Sequence, residues 1–323
     1  MIHSENHSAL SGDTGPDGVP NPLRGLIFDI KRYAINDGPG IRAAIFFKGC
    51  NLHCGWCHNP EGIGRAIEKM YSAAKCIGCG TCVSVCPCDA LTLSSSGVAA
   101  DNGRCTLCGK CADVCPAKAF EMSGISMSVP EIMEIIEKER VFFEQSGGGV
   151  TFSGGEPLLQ SEVLLELLIE CGNRGIHRAV DTAGHVKTET ILEVAKYTDL
   201  FLFDLKMMDA GLHEKWTGVS NVLILENLRA ISDYGSDIII RIPLIGGVND
   251  QEANIRATAD FLSSLPGSKK EVHLLPFHSI AKHKYAKLGK TEDFALFEET
   301  DNETLKTATG IFAGYGIRAQ VGG

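Results

Sequence analysis

Twelve of the 13 cysteines fall between residues 50 and 115, and only Cys171 lies outside that window. No other feature restricts the fold as tightly. Disulfide scaffolds are usually short, secreted and cross-linked throughout, whereas this chain has 323 residues and crowds its thiols into one segment. Thiols so close in sequence converge on soft centres, a metal or an iron–sulfur cluster. The first group is Cys50, Cys54 and Cys57, which directly follow the apolar run Ile45-Phe46-Phe47 at CxxxCxxC spacing. Three ligands rather than four is the informative part. A structural zinc site closes its coordination sphere, while a reactive centre keeps a position open. A [4Fe-4S] cluster on three cysteines leaves one iron free to bind another molecule. The competing use is a Cys3His zinc knuckle completed by His58, although such knuckles usually form short independent modules.

The remaining cysteines repeat. Cys76-x2-Cys79-x2-Cys82-x3-Cys86-Pro87 is followed by Cys105-x2-Cys108-x2-Cys111-x3-Cys115-Pro116. This doubled run resembles the bacterial two-cluster ferredoxins, in which the fourth cysteine of each run ligates the other cluster. That resemblance implies Cys76, Cys79, Cys82 and Cys115 on one [4Fe-4S] centre. It puts Cys105, Cys108, Cys111 and Cys86 on a second. Cys88 is left over, as a spare thiol or an alternative ligand. A zinc ribbon would need only two CxxC pairs and leaves the cysteines before proline unexplained.

A formal net charge of −10 with no basic run argues against a nucleic-acid partner. No apolar stretch approaches the roughly 20 residues of a membrane helix. The first residues are polar and rich in Gly, Pro, Ser and Asp, without the basic and apolar regions of a signal peptide. They read as a flexible tail, residues 1–23, of a chain that works in a reducing cytoplasm.

From residue 148 onward strand and helix patterns alternate. Strands are expected at 26–30, 43–47, 150–153, 178–182, 200–206, 237–244, 271–275 and 318–321. Helices are expected at 129–145, 158–171, 188–196, 221–234, 250–265 and 302–314. The run 200–206 is almost wholly apolar before its end, as in a strand covered on both faces. Counting the cluster strand gives six β/α units, hence an α/β fold, a parallel barrel-like sheet. Reactive groups in such folds sit beyond the C-terminal ends of strands, where the Cys50 loop begins. Other unusual residues follow the same rule. Ser153-Gly154-Gly155-Glu156-Pro157 joins a strand to a helix, as a ligand cradle or simply a tight turn. Asp181 ends the next strand. Asp204 and Lys206 end the one after and share a face, as an interior polar site or a structural ion pair. Arg241 interrupts an isoleucine run and needs a partner. Asp37, in the turn Asp37-Gly38-Pro39-Gly40, is an active-site candidate or plain turn chemistry. His278 alone is unremarkable.

Taken together, these motifs resemble the glycyl-radical enzyme activating enzymes of the radical S-adenosylmethionine (SAM) superfamily, of the pyruvate formate-lyase activase type. The motifs are Asp37-Gly38-Pro39-Gly40-Ile41-Arg42, the cysteine triplet, Gly147-Gly148-Gly149-Val150-Thr151 leading to Ser153-Gly154-Gly155-Glu156, Asp181-Thr182, Asp204-Leu205-Lys206 and Leu275-Pro276-Phe277-His278. They come in the family's order and cover nearly everything after residue 24. The chain departs from the shortest member by the two-cluster insert, and by Trp56 where that member has tyrosine. The resemblance implies a partial (β/α)6 radical SAM barrel, residues 24–70 and 123–323, with an inserted ferredoxin-like 2[4Fe-4S] domain, residues 71–122. It implies three [4Fe-4S] clusters, SAM, and room for a monovalent cation. Cys50, Cys54 and Cys57 would hold the catalytic cluster. Trp56 and His58 would line the adenine side. Gly154, Gly155 and Glu156 would hold the methionine ammonium, with Asp181 in the same polar shell. Asp204, Lys206 and His278 would fix the carboxylate, ribose and adenine regions. Arg241 and Asp37 would meet the incoming protein loop. One electron, from flavodoxin or ferredoxin, would cleave SAM to methionine and a 5′-deoxyadenosyl radical. That radical would take a hydrogen from a glycine of the partner glycyl-radical enzyme. The competing functions are a radical SAM enzyme acting on a small metabolite or peptide, and a non-catalytic electron-transfer protein.

Overall fold

The computed structural model describes residues 21–267, 271–291 and 297–322. The expected tail falls outside them as far as residue 20. The chain opens with β1 (Arg24–Ala34) and β2 (Arg42–Phe47), then makes an excursion through β3 (Glu68–Tyr71), α1 (Thr81–Ser84), β4 (Leu91–Ser94), β5 (Gly97–Ala100), α2 (Lys110–Asp113) and β6 (Phe120–Ser123). It returns through β7 (Ile125–Ser128), α3 (Val129–Glu137) and α4 (Arg140–Ser146) to β8 (Gly149–Gly154). Then follow α5 (Ser161–Asn173), β9 (His177–Thr182), α6 (Thr188–Ala195), β10 (Leu200–Asp204), α7 (Ala210–Thr217), α8 (Val222–Tyr234) and β11 (Ile238–Leu244). The last elements are α9 (Glu252–Ser264), β12 (Glu271–Pro276), α10 (Lys282–Lys287), α11 (Asn302–Gly314) and β13 (Ala319–Val321).

One nine-stranded sheet carries the architecture, in the order β13-β12-β11-β10-β9-β8-β2-β1-β7. From β2 to β13 all neighbours are parallel, and β1 and β7 close one edge antiparallel. The sheet does not close on itself, so it is a splayed part-barrel, as expected. Strand alternation separates its faces. In β11, Ile238, Ile240, Ile242 and Leu244 enter the main core beneath the helices, whereas Arg241 and Pro243 turn to the cavity on the other side.

The expected helix 129–145 is two helices. A capping box, Ser128 with Glu131, starts α3. The chain then breaks at Glu139, whose amide bonds back to Ile136 and whose buried carboxylate reaches Arg32 at 3.5 Å. The predicted helix at 158 begins instead with a 3-10 turn, Pro157–Gln160, ahead of α5. Helices α7 and α10 were not foreseen: α7 mixes Gly, His, Glu, Lys and Trp without a clean apolar stripe, and α10 is short and basic.

The glycine-rich stretches have steric causes. A Cβ on Gly148 would lie 1.8 Å from the Ile41 carbonyl oxygen, and one on Gly40 2.5 Å from the Gly148 nitrogen. The 147–149 run therefore lets the Asp37–Arg42 turn press against the start of β8.

Candidate active site

Beyond the C-terminal ends of the parallel strands lies a cavity with about 1020 Å³ of open space. Cys50, Cys54 and Cys57 line it together, from the loop after β2. That loop is held by backbone bonds. The Gly49 and Cys50 amides reach Gly62 and Ile63, and the His53 and Gly55 amides reach the Thr217 and Trp216 carbonyls at the end of α7. Burial pushes the Cys50 and Cys57 thiols up to about 12, and Cys54 is raised as well. Three half-buried thiols lining one cavity suit a centre that takes them as thiolates. Among the described residues no three of His, Cys, Asp or Glu converge tightly enough for a single metal ion. Three sulfurs around one cavity fit a cluster several ångströms across.

The polar wall comes from β8 to β11. Gly154 and Gly155 line the cavity where the backbone crosses the cysteine loop. The Gly155 and Glu156 amides donate to the Phe47 and Gly49 carbonyls at 2.8 Å. A Cβ at Gly155 would lie 2.3 Å from the Gly49 oxygen, so only glycine permits this crossing. Asp204 and Lys206 face the cavity as a 2.8 Å ion pair. Burial opposes the Lys206 charge, but Asp204 and the Cys54 and Cys50 sulfurs outweigh it and hold the ammonium above the usual lysine range. Asp181 and Arg241 form a second pair at 3.2 Å, and Ser153 donates to the same Asp181 oxygen at 2.7 Å. Burial raises Asp181 to about 6 in spite of Arg241. Trp56 and His58 lie on the opposite, aromatic side with Phe277.

Three expected site residues stand back from this lining. Glu156 is 1 % exposed and turned inward, so its carboxylate is not presented to the cavity. It accepts from the Thr182 hydroxyl at 2.7 Å and from the Ala183 and Leu158 amides at 3.0 and 3.2 Å. In the structure Glu156 braces the 182–184 wall from beneath the lining, with three protein donors on its two oxygens. Burial raises it to about 7. His278 is exposed and stacks on His58, ring centroids 4.4 Å apart. The stack is beside the cavity, and desolvation followed by the His278 charge lowers His58. Asp37 is also outside the lining, but its charge reaches both Arg241 and Asp181. Its carbonyl accepts from Thr151 at 2.6 Å, and Thr151 in turn accepts from buried Arg42 at 2.6 Å.

Several supporting residues carried no sequence signal. The buried Asn249 amide donates at 2.6 Å to both the Lys206 and Pro243 carbonyls and accepts from Ile245, tying the ends of β10 and β11 together. Asn227 does the same for the loop after β9, donating to Gly184 and Val186. Asn51 links the cysteine loop to His185. Only the clustering of Asn with Gly in turns such as Gly246-Gly247-Val248-Asn249 hinted at such roles.

In the excursion, two smaller cavities of about 330 and 340 Å³ gather the remaining cysteines. Cys76, Cys79, Cys82 and Cys115 line one; Cys86, Cys105, Cys108 and Cys111 line the other, with Cys88 beside them. The two halves repeat in detail. Asp89 and Lys118 both take a left-handed conformation (φ 48°), which aims the Ala90 and Ala119 amides at the Cys86 and Cys115 sulfurs, 3.3 and 3.1 Å away. The active-site cavity is about three times larger than either, with room for an organic ligand as well as a cluster.

Comparison with known proteins agrees. Residues 102–260 match the radical SAM superfamily, and residues 75–119 match a 4Fe-4S dicluster domain. The chain is 41% identical over 301 residues to the trans-4-hydroxy-L-proline dehydratase activating enzyme of Clostridioides difficile, covering 92% of this chain and 99% of that one. It is 42% identical over 271 residues to the choline trimethylamine-lyase activating enzyme of Oleidesulfovibrio alaskensis, covering 82% and 87%. A radical SAM methyltransferase structure from Sphaerobacter thermophilus superposes with TM-score 0.51 at 14% identity, over 97% of this chain and 75% of the other, and shares the fold alone. The chain belongs to the radical SAM activating enzymes of glycyl-radical enzymes, which cleave SAM and install a radical in a partner protein.

Proposed function

We propose that this activase carries three [4Fe-4S] clusters and serves a glycyl-radical dehydratase or lyase of the kind its relatives activate. The observation that carries the reading is the assembly of twelve cysteines around three cavities, three at one, four at the second and five, Cys88 included, at the third. Cys50, Cys54 and Cys57 would hold the reactive cluster, which supplies one electron to SAM and so makes the radical chemistry available. The protein's own part is binding and exclusion. Lys206 places a positive charge beside three thiolates and offsets part of their repulsion. Asp204, next to it, keeps a free carboxylate edge for hydroxyl or ammonium donors. The Gly154-Gly155 backbone offers close approach, and Asp181 with Ser153 adds acceptors where a monovalent cation would also fit. The His58 and His278 stack, Trp56 and Phe277 give an aromatic side against which adenine would lie. Arg241 and Asp37 would face the incoming glycine loop.

The proposed division of the chain is a barrel of residues 24–70 and 123–323 with an insert of 71–122. A flavodoxin or ferredoxin would be the donor, in the cytoplasm; among the described residues no helix is long and apolar enough to cross a membrane. The test is anaerobic. Reconstituted, reduced protein is mixed with SAM and candidate glycyl-radical enzymes, and the glycine-centred doublet is sought by EPR. A doublet with one dehydratase or lyase supports the reading. SAM cleavage with no doublet for any such enzyme would favour a small-molecule or peptide substrate, and no SAM cleavage at all would leave only electron transfer.

A further inference from the structure

The two cysteine-lined cavities of the insert share one ribbon but not one electrostatic environment. β3 and β6 pair antiparallel, with Lys69 opposite Met122 and Tyr71 opposite Phe120. Residues two apart on a strand share a face, so these two rungs lie side by side on the same surface. Lys69 and Met122 line the cavity of Cys86, Cys105, Cys108 and Cys111, and Phe120 lines the other. The ribbon joins the barrel at the Glu68–Ser123 rung, where buried Lys48 of the main sheet meets Glu68 at 2.7 Å and Ser123 at 3.3 Å. The Lys69 rung is next to that junction. The Cys105 cavity is therefore the inner one, and the Cys76 cavity the outer.

Charge is distributed unequally between them. The Lys69 ammonium lies 3.5 Å from the Cys105 sulfur and also acts on Cys111. Exposed Lys110 borders the same cavity. The outer cavity is lined by Cys, Ile, Gly, Thr, Val, Ala and Phe, with no charged side chain among its described lining residues. Reduction adds one negative charge to a cluster and its thiolates. A neighbouring cation stabilises that reduced form more than the oxidised one and so raises the potential.

We propose that Lys69 sets the potential of the inner insert cluster and makes it the more easily reduced of the two. An electron delivered to the insert by a one-electron donor then settles on the barrel side of the ribbon. This rests on the reading that the insert holds two clusters. Lys69 touches no reacting atom of SAM; it acts through the cluster's thiolate shell.

The experiment is an EPR-monitored dithionite titration of the full-length reconstituted protein, with Lys69→Met and Lys69→Arg beside it. Cys108→Ala and Cys79→Ala assign the inner and outer signals. The wild type should show two insert potentials, the higher one lost in Cys108→Ala. In Lys69→Met the higher potential should fall toward the lower, while the lower stays in place. Lys69→Arg should restore most of the difference. Equal potentials in the wild type, loss of the lower signal in Cys108→Ala, or no selective shift in Lys69→Met with iron content intact would overturn the proposal. Iron and sulfide amounting to one cluster in the wild type would instead overturn the three-cluster reading beneath it.

Discussion

Replacing Glu156 by glutamine tests whether that residue braces the wall or grips the ligand. In the native structure Oε1 accepts from the Thr182 hydroxyl and the Leu158 amide, and Oε2 accepts from the Ala183 amide. An amide side chain has one oxygen and one NH2 group. Whichever way it is placed, a backbone N–H faces another donor and loses its acceptor. An unsatisfied buried donor costs about 1–3 kcal/mol, so Glu156→Gln should lower Tm by several degrees. It should also weaken SAM binding severalfold, through displacement of the 182–184 wall. The pH dependence separates this from other causes. Burial raises the carboxyl from its ordinary 4.5 to about 7, so between those values the folded protein keeps a proton that the unfolded chain has released. The stability this group contributes is full below about pH 4.5 and is lost as pH rises through about 7, on the order of 3 kcal/mol across the window. The variant cannot titrate at this position, so its stability deficit relative to wild type should shrink as pH rises from about 4.5 to about 7 and level off above that. Anaerobic denaturant unfolding at several pH values measures it. Parallel pH profiles for the two proteins, or a stable variant that loses only SAM affinity, would refute the brace.

Other substitutions follow from the same geometry. Lys206→Met should destabilise the protein by about 2 kcal/mol, because Asp204 loses its partner in a mostly buried setting, and Asp204→Asn in the same chain should recover part of the loss in a double-mutant cycle. Gly148→Ala should abolish soluble expression or cost several kcal/mol, since its Cβ would sit 1.8 Å from a carbonyl oxygen; normal stability would show that the Asp37 turn is not pressed against β8. Cys88→Ala should retain the wild-type iron content, whereas Cys111→Ala should lose iron. Although the Cys88 sulfur lies 3.8 Å from that of Cys86, the repeat places Cys86, like Cys115, under the backbone amide four residues on. Chemical iron analysis decides between them.

The chemistry was legible because cluster ligation is a matter of ligand type and spacing. Cys50-Cys54-Cys57 and the doubled run announce themselves in the one-dimensional order, and each group meets around a cavity. Strand positions were legible for a similar reason: β2 and β10 are buried on both faces and read as largely apolar runs. The parts that escaped depend on partners distant in sequence. Glu156 sits among glycines beside a cavity, and its hydrogen bonds to Thr182 and Ala183, 26 and 27 residues away, have no trace in that local sequence. Helix α7 lacks a clean apolar stripe and exists to present its last carbonyls to His53 and Gly55.

By itself, then, the sequence determined which cysteines group together, eight of the nine strands of the sheet (not β7), and the order in which the loops with unusual residues arrive at its rim. Those properties are local: spacing, side-chain chemistry and hydrophobic period. Only the tertiary structure decided which polar side chains face the cavity and which are spent holding it open. It also decided which cysteine group lies nearer the barrel and beside which lysine. The reason is that hydrogen-bond saturation and charge proximity are set by groups scores of residues apart, and sequence neighbours carry no record of them.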